Sequence, residues 1–266
     1  MTQPDRYLKG ITVLVTRPAG RGDSLCRDIE AAGGRAVSFP LLVVRPMEDP
    51  ALLRRLRDAV ASSAAVIFVS RNAAEIALRW LPDPAAFAGR TVYAAGPATR
   101  EALIKGGVGN VVGTDSTRAS EALLAIPELD GDRIGGADVA IIRGEGGREL
   151  LATELARRGA RVNVVEIYRR ETPAPPPEQV HALWHEVRPD IVVITSATAL
   201  YNLVAITADD CRPLLFGTRL AVMSGRIGDI ASELGFSKPP LVAAAPSDAG
   251  LVRAIAKGAE FIQHDR

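Results

Sequence analysis

The sequence repeats one pattern: a continuous apolar run of strand length, followed by a segment whose apolar residues recur at helical spacing. The runs are ITVLV (11–15), RAVSF (35–39), AVIFV (65–69), TVYAA (91–95), NVVG (110–113), DVAII (138–142), RVNVV (161–165), DIVVIT (190–195), RLAVM (219–223) and LVAAA (241–245). Because the runs are continuous rather than alternating, they favour strands covered on both faces, as in a parallel sheet. The alternation of strand and helix therefore predicts an α/β fold with doubly wound parallel sheets and right-handed crossovers.

The two halves of the chain resemble each other. Residues 17–33 and 143–159 both read as a strand end, a small polar turn, a helix and a glycine stop, with an offset of 143 − 17 = 126. Ser70 in VSRNAAEIAL and Ser196 in ITSATALYNL follow two other apolar runs and have the same offset, 196 − 70 = 126. Because two separate landmarks agree, the sequence predicts a duplicated α/β unit of about 126 residues.

A duplicated chain can fold in tandem, divide near Gly131 or exchange elements between its halves, and the pattern alone does not choose. Proline marks two segments, FPLLVVRP (39–46) and TPAPPPEQ (172–179), where regular structure is disfavoured and a stiff connection is favoured. If the chain crosses between domains there, one domain contains residues 1–39 and 172–266, and the other contains residues 40–171.

Charge and residue usage exclude several functions. Lysine plus arginine number 32 and the acidic residues 31, whereas a general nucleic-acid or membrane-surface binder carries a basic excess. Two cysteines and three histidines provide no disulfide framework and few metal ligands, so we expect no metal and no cofactor. No apolar stretch reaches the ~20 residues of a membrane span, and the first residues lack the apolar core of a secretory signal, which favours a cytoplasmic protein.

Small hydroxyl residues, glycine and arginine follow the predicted strands, at the edge where open parallel sheets bind ligands. The candidates are Thr16, Arg17, Ser70, Arg71, Thr99, Arg143, Gly144, Thr195, Ser196, Ser224 and Arg226. Helix capping explains any one of them alone. Taken together, helix N-termini and arginine side chains suit a ligand that carries several carboxylates or phosphates.

Other motifs carry less chemistry. The glycines of RGEGGR have neither the GxxxxGK[ST] nor the GxGxxG spacing, so no nucleotide site is predicted. His181 and His185 share a helical face, but no HExxH surrounds them and packing explains both. Tyr168, in VVEIYRR, follows a predicted strand beside a candidate crossing, where either a buried tyrosine or a site residue fits.

Several motifs occur in a fixed order along the chain: LVTRPAGRGDSL, VSRNAA, GPAT, SEALL, RGEGGRELLATELARRGARVNVVEIYRR and TSATALYNL. In this order they resemble the uroporphyrinogen-III synthase family, from Ile11 to about Ile255. The resemblance implies two α/β domains joined by two extended crossover segments, with the active site in the cleft between them. It therefore selects the exchanged arrangement and puts Pro40 and Arg170 near the hinge.

The resemblance also implies a reaction that needs no cofactor. Members of the family dehydrate and cyclise hydroxymethylbilane, a linear tetrapyrrole with eight carboxylates, and invert its last ring to give uroporphyrinogen III for haem biosynthesis. Tyr168 falls on the family's cleft tyrosine and is implied to donate a hydrogen bond, or a proton, to the departing hydroxyl. The strand-end candidates fall on substrate-binding positions. Three depart from the family pattern: Ser224 and Arg226 stand in place of a G-P-x-T-like turn, and Arg71 stands where small residues or lysine are frequent.

Two other functions would share this architecture: a non-catalytic two-lobe binding protein for a polyanionic small molecule, and a glycosyltransferase-like enzyme of paired lobes. The missing export signal argues against the first, and the small size and shortage of suitably placed acids argue against the second. As a member of the family, the chain is expected to be a monomeric hydro-lyase that binds no nucleic acid and no membrane. A transient contact with the preceding enzyme of the pathway is also expected.

Overall fold

The computed structural model describes residues 7–114 and 119–264, which form two compact units. The terminal unit contains the chain up to residue 43 and from residue 171 onward, and the central unit contains residues 44–170. The chain therefore passes from one unit to the other twice. The boundaries expected from the proline segments lie four residues earlier (43 − 39 = 4) and one residue later (172 − 171 = 1).

Each unit is built on one mainly parallel sheet. In chain order the strands are β1 (Thr12–Val15), β2 (Arg35–Ser38), β3 (Val43–Pro46), β4 (Ala65–Phe68), β5 (Thr91–Ala94), β6 (Val111–Gly113), β7 (Asp138–Gly144), β8 (Arg161–Glu171), β9 (Ile191–Ile194), β10 (Arg219–Val222) and β11 (Leu241–Val242). The terminal sheet has the order β11-β10-β9-β1-β2, and the central sheet has the order β3-β8-β7-β4-β5-β6. All four pairings of the terminal sheet are parallel, as are those that join β8, β7, β4, β5 and β6 in the central sheet.

Helices alternate with the strands and cover the sheets. They are α1 (Asp23–Ala31), α2 (Pro50–Ser62), α3 (Arg71–Trp80), α4 (Pro97–Lys105), α5 (Ala119–Leu124), α6 (Gly131–Ile134), α7 (Leu150–Arg157), α8 (Pro177–Ala182), α9 (Ala197–Ile206), α10 (Arg212–Gly217), α11 (Gly225–Glu233) and α12 (Asp248–His264). In the stretches of chain that the structure describes, none of these helices combines the length and the apolar character that crossing a membrane requires.

The predicted duplication relates the two sheets. An offset of 126 converts β1 to β7 (12 + 126 = 138), β2 to β8 (35 + 126 = 161) and β4 to β9 (65 + 126 = 191). β5 and β6 correspond to β10 and β11 with offsets of 219 − 91 = 128 and 241 − 111 = 130. The order β2-β1-β9-β10-β11 in one sheet therefore repeats as β8-β7-β4-β5-β6 in the other. The terminal sheet combines two strands from the first half of the chain with three from the second, and the central sheet combines two strands from the second half with four from the first, including the edge strand β3. This is the exchanged arrangement.

Both faces of each sheet are buried. In the terminal sheet, Leu14 and Val192 pack into one apolar cluster, while Val13 and Ile191 pack into a second. The central sheet divides its apolar residues between two clusters in the same way. Neighbouring residues of a strand point to opposite faces, which explains why the strand sequences are continuously apolar. The predicted α/β fold with doubly wound parallel sheets is confirmed.

Two segments differ from what the sequence predicts. Residues 39–46 are predicted to lack regular structure, but Val43–Pro46 forms β3 at the edge of the central sheet. Proline is tolerated there because an edge strand leaves one side without ladder hydrogen bonds. β8 is predicted over residues 161–165 and instead continues to Glu171, so that Tyr168 lies within the strand. Of the second proline segment, residues 172–176 have no regular structure, as predicted, but residues 177–179 form the first turn of α8, since proline is tolerated in the first turn of a helix.

Candidate functional site

Two serines cap helices at the carboxyl ends of β4 and β9. Ser70 precedes α3 and Ser196 precedes α9, with nearly equal backbone angles (φ −159°, ψ 155° and φ −152°, ψ 154°). Each Oγ accepts a hydrogen bond of 3.1 Å from the backbone N–H three residues later, in Ala73 and Ala199 respectively. The duplicated unit therefore keeps the same cap in both copies, and each cap marks a helix N-terminus that favours an anionic group.

Tyr168 links the strand ends of the central unit. It lies on β8 with only 1% of its surface exposed, and its Oη is 2.9 Å from Ser70 Oγ. Arg170, two residues further along the strand, donates a hydrogen bond of 3.1 Å to Tyr168 Oη. Its guanidinium carbon also lies 5.6 Å from the centroid of the tyrosine ring. We call Ser70, Tyr168 and Arg170 the hydroxyl cluster.

Gly144 provides the space that the tyrosine ring occupies. The register of β7 and β8 shifts between Arg143 and Gly144, so that Gly144 is paired with Tyr168. A Cβ at Gly144 would lie 2.5 Å from Cε2 and Cζ of Tyr168 and 2.9 Å from its Oη. The structure thus gives Gly144 a packing role, and its contact with substrate stays a prediction.

Arg143 is predicted to hold a substrate carboxylate, but its donors are occupied inside the central unit. Its side chain is 8% exposed and contacts Glu149 and Glu166 at 2.5 and 3.0 Å. It also donates to the backbone carbonyls of Gly147 and Arg148, both at 3.2 Å. Burial opposes its charge, but hydrogen bonds and attraction from the two carboxylates outweigh burial and raise the pKa of Arg143. The residue fixes the loop after β7, and its role as a carboxylate clamp stays a prediction.

Thr16 and Arg17 occupy the carboxyl end of β1 in the terminal unit. Thr16 is 1% exposed, and its hydroxyl donates to the carbonyl of Val193 on the neighbouring strand. This contact ties β1 to β9, and the expected contact of Thr16 with a ligand stays a prediction. Arg17 forms an ion pair of 2.5 Å with Asp248 at the start of α12, so its charge is already partly balanced.

Thr99 and Arg71 also have partners within the central unit. Thr99 is buried in the first turn of α4, and its hydroxyl donates to the carbonyl of Ala95 at 3.0 Å. This hydroxyl therefore stabilises the turn, and its contact with substrate stays a prediction. Arg71 is exposed and forms an ion pair of 2.8 Å with Glu75, one helical turn later. An exposed pair of this kind is weak, so Arg71 can exchange its partner for a ligand carboxylate.

The remaining candidates lie at exposed strand ends of the terminal unit. Ser196, Ser224 and Arg226 are exposed, and Thr195 is partly exposed. Ser224 precedes α11 with extended backbone angles, but its side chain makes no capping hydrogen bond. Because β10, β9 and β1 are neighbours in the parallel sheet, their carboxyl ends present these residues along one edge. Their roles in binding stay predictions.

The structure brings Ser70, Gly144 and Tyr168 together and adds Arg170, which the family resemblance places only near the hinge. Arg170 is the partner of the tyrosine hydroxyl. The available signal was its spacing, because residues two apart on a strand project from the same face. In the chain segments described, no three His, Cys, Asp or Glu side chains gather as metal ligands would.

These features define a class of protein: a duplicated α/β chain whose strand ends present hydroxyl groups, helix N-termini and arginine side chains, as suits a polyanionic small molecule. Residues 23–253 match the family model described as uroporphyrinogen-III synthase HemD. The chain belongs to the uroporphyrinogen-III synthase family, as its motifs predict.

Individual relatives agree with this assignment. The chain is 34% identical over 260 residues to the uroporphyrinogen-III synthase of Salmonella typhimurium, and 30% identical over 256 residues to that of Escherichia coli. In both cases the match covers 92% of this chain and 100% of the relative. The alternative of a non-catalytic binding protein is not favoured by these relatives.

Solved structures agree on the fold. A mutant uroporphyrinogen III synthase from Thermus thermophilus matches with a TM-score of 0.58 at 19% identity, covering 94% of this chain and 98% of that one. The uroporphyrinogen-III synthetase of Helicobacter pylori also gives a TM-score of 0.58, at 14% identity, covering 93% of this chain and 99% of that one.

Proposed function

We propose that this protein is an enzyme that dehydrates and cyclises hydroxymethylbilane to uroporphyrinogen III, a hydro-lyase of tetrapyrrole biosynthesis. The observation that carries the proposal is the hydroxyl cluster, because it holds a tyrosine hydroxyl beside a helix N-terminus in a chain of this family. We also propose that it acts in the cytoplasm as a monomer and receives its substrate from the preceding enzyme of the pathway.

The proposed substrate carries eight carboxylates, and the chain has a formal net charge of only +1. The carboxylates must therefore be bound locally rather than by a general positive field. Suitable groups are the N-termini of α3 and α9, capped by Ser70 and Ser196, and the exposed side chains of Arg71 and Arg226. Helix N-termini and guanidinium groups both stabilise carboxylates, so these four positions are proposed to hold acetate and propionate groups.

The reaction requires neither a strong acid nor a strong base from the protein. The electron-rich pyrrole assists loss of the hydroxyl as water, so one hydrogen-bond donor at the departing oxygen suffices. Attack by the substituted carbon of the last ring and its later inversion depend on bringing the two ends of a flexible chain together. The main contribution of the enzyme is therefore proximity and orientation. Tyr168 is proposed to supply the donor, and the strand ends to supply the constraint.

The test is to mix the protein with freshly generated hydroxymethylbilane, oxidise the products and separate the uroporphyrin isomers. We expect isomer III at a rate above the spontaneous cyclisation. If only isomer I forms, at the spontaneous rate, the proposal is wrong.

Tyr168→Phe should lower kcat by about 10- to 100-fold, because one positioned proton donor is lost while the pyrrole still assists the departure. The measurement is the initial rate of isomer III formation at saturating substrate, with folding checked by circular dichroism. An unchanged kcat would remove Tyr168 from the mechanism.

A further inference from the structure

The position of Tyr168 raises the question of which hydroxyl reaches the substrate. Tyr168 has 1% of its surface exposed, whereas Ser70 is partly exposed and stands at the start of α3. Their oxygens are 2.9 Å apart. Ser70 is therefore the outer member of the hydroxyl cluster, and Tyr168 lies behind it.

The donors and acceptors of the cluster fix the direction of the hydrogen bond between the two hydroxyls. A guanidinium only donates, so Tyr168 Oη accepts from Arg170, and Ser70 Oγ accepts from the N–H of Ala73. If Ser70 donated to Tyr168, the tyrosine proton would be left in a buried place, and an unpaired buried donor is unfavourable. If Tyr168 donates to Ser70, its proton is paired. The serine proton is then the one that is directed outward.

We propose that Ser70 donates the proton to the departing hydroxyl of the substrate and that Tyr168 replaces it, while Arg170 stabilises the phenolate that results. This inference rests on the proposed function and changes its assignment of roles. Ser70 is the catalytic residue that touches the reacting oxygen, and Tyr168 and Arg170 act through it.

The protons balance over the reaction. The bond from carbon to the departing oxygen breaks with its electron pair, that oxygen takes the Ser70 proton and leaves as water, and the Tyr168 proton moves to Ser70 Oγ. When the last carbon–carbon bond forms, the ring carbon that attacks loses its proton. That proton returns through Ser70 to the phenolate, so the cluster ends as it began.

Arg170 is placed to make this cycle possible. Its 3.1 Å hydrogen bond and its position 5.6 Å from the ring centroid put a positive charge beside the oxygen that becomes negative. Arg169 is also exposed but projects from the opposite face of β8, since neighbouring strand residues alternate. Arg169 is therefore a charge-matched control for Arg170.

The first experiment compares Ser70→Ala, Ser70→Thr, Tyr168→Phe and the double variant Ser70→Ala/Tyr168→Phe in the isomer III assay. If Ser70 relays the proton, Ser70→Ala lowers kcat by about the same factor as Tyr168→Phe, about 10- to 100-fold, and the double variant is no slower. Ser70→Thr, which keeps the hydroxyl and the cap, retains most of the activity. If Ser70→Ala keeps its kcat while Tyr168→Phe loses it, the tyrosine acts directly and the inference is wrong.

Loss of the helix cap needs its own control. Asp49 caps α2 in the same unit by accepting from the N–H of Ala51 at 2.8 Å. Asp49→Ala loses a cap without touching a hydroxyl, so its kcat should equal that of the wild type. If Asp49→Ala lowers kcat as much as Ser70→Ala does, capping explains the effect and the relay is refuted.

The second experiment is a double-mutant cycle with Arg170→Gln in wild-type and Tyr168→Phe backgrounds. Arg170→Gln should lower kcat about tenfold in the wild-type background and by less than about twofold when the tyrosine hydroxyl is absent. The effect of Arg169→Gln, whatever its size, should be equal in both backgrounds. If Arg170→Gln lowers kcat by the same factor in both backgrounds, Arg170 does not act through the tyrosine hydroxyl and the inference is wrong. Wild-type protein that yields only isomer I would instead overturn the proposed function, so the two failures are distinguishable.

Discussion

Gly144→Ala tests whether the tyrosine of the hydroxyl cluster is held by close packing against the β7 backbone. The added Cβ would lie 2.5 Å from two ring carbons of Tyr168, whereas carbon atoms in contact are separated by about 3.5 Å or more. The ring must therefore move by about 1 Å, since 3.5 − 2.5 = 1.0. If the ring moves away from Ser70 by that amount, the 2.9 Å contact between Tyr168 Oη and Ser70 Oγ lengthens beyond hydrogen-bond range.

Two losses are expected from Gly144→Ala. Forcing extra volume into a packed site typically lowers the free energy of unfolding by about 1–3 kcal/mol. In addition, kcat should fall by about the factor seen for Tyr168→Phe, because both variants separate the tyrosine hydroxyl from Ser70. Urea denaturation measures the first loss, and the rate of isomer III formation measures the second.

Gly109→Ala is the matched control, because a Cβ there meets no atom within 4 Å and the residue lies in the same unit. Its stability should change by no more than about 1 kcal/mol and its kcat should not change. Removing only the hydroxyl does not relieve the clash, so Gly144→Ala/Tyr168→Phe should keep the stability loss. A Gly144→Ala protein with wild-type stability and wild-type kcat would refute the reasoning.

Three further predictions concern stability. Arg143→Ala should lower the free energy of unfolding in urea by about 2 kcal/mol, because hydrogen bonds to charged groups contribute about 1.5–3 kcal/mol. A raised KM with unchanged stability would contradict this and would instead indicate that Arg143 binds a substrate carboxylate. Ser196→Ala removes a helix cap and should lower the free energy of unfolding by about 1 kcal/mol. Ser224 makes no capping hydrogen bond, so Ser224→Ala should keep the wild-type urea midpoint. Equal losses of stability in the two variants would contradict this. Hydrogen bonds from Arg157 and, to a smaller extent, Arg158 lower the pKa of Glu154 from 4.5 to about 2. The stabilising effect of ionised Glu154 is therefore complete above pH 4.5 and is lost as the pH falls toward 2. The difference in urea midpoint between wild type and Glu154→Gln should shrink as the pH falls from 4.5 toward 2. A constant difference would argue against the ion pairs of Glu154 with Arg157 and Arg158.

The sequence predicts the sheets well because their strands are buried on both faces. Each of the ten apolar runs overlaps a strand. The 126-residue offset appears again in the pairing, where Val13 faces Ile191 as Val139 faces Ala65. The strand that escaped prediction is β3, since the prolines around it indicate a connection. Its pairing is a property of the sheet edge, which local sequence does not specify.

The candidate site is predicted only in part, because a residue type does not reveal where its hydrogen bonds go. The caps at Ser70 and Ser196 follow from local sequence. Thr16 instead bonds a carbonyl 177 positions away. Arg143 is held by Glu166, 23 positions away on the next strand. Partners so distant along the chain become neighbours only when the sheet forms, so composition and spacing cannot separate a structural arginine from a ligand-binding one.

The exchange of strands between the two halves has a consequence for how the protein is made. Val13 of β1 pairs with Ile191, which leaves the ribosome 178 residues later (191 − 13 = 178), and the terminal sheet lacks its last strand until residues 241–242 have been translated. Every strand of the central sheet is available once residue 171 has emerged. Since domains fold as units during synthesis, the middle of the chain is able to fold first. The N-terminal strands β1 and β2, although made earliest and able to pair with each other, lack the partner strand β9 during most of translation.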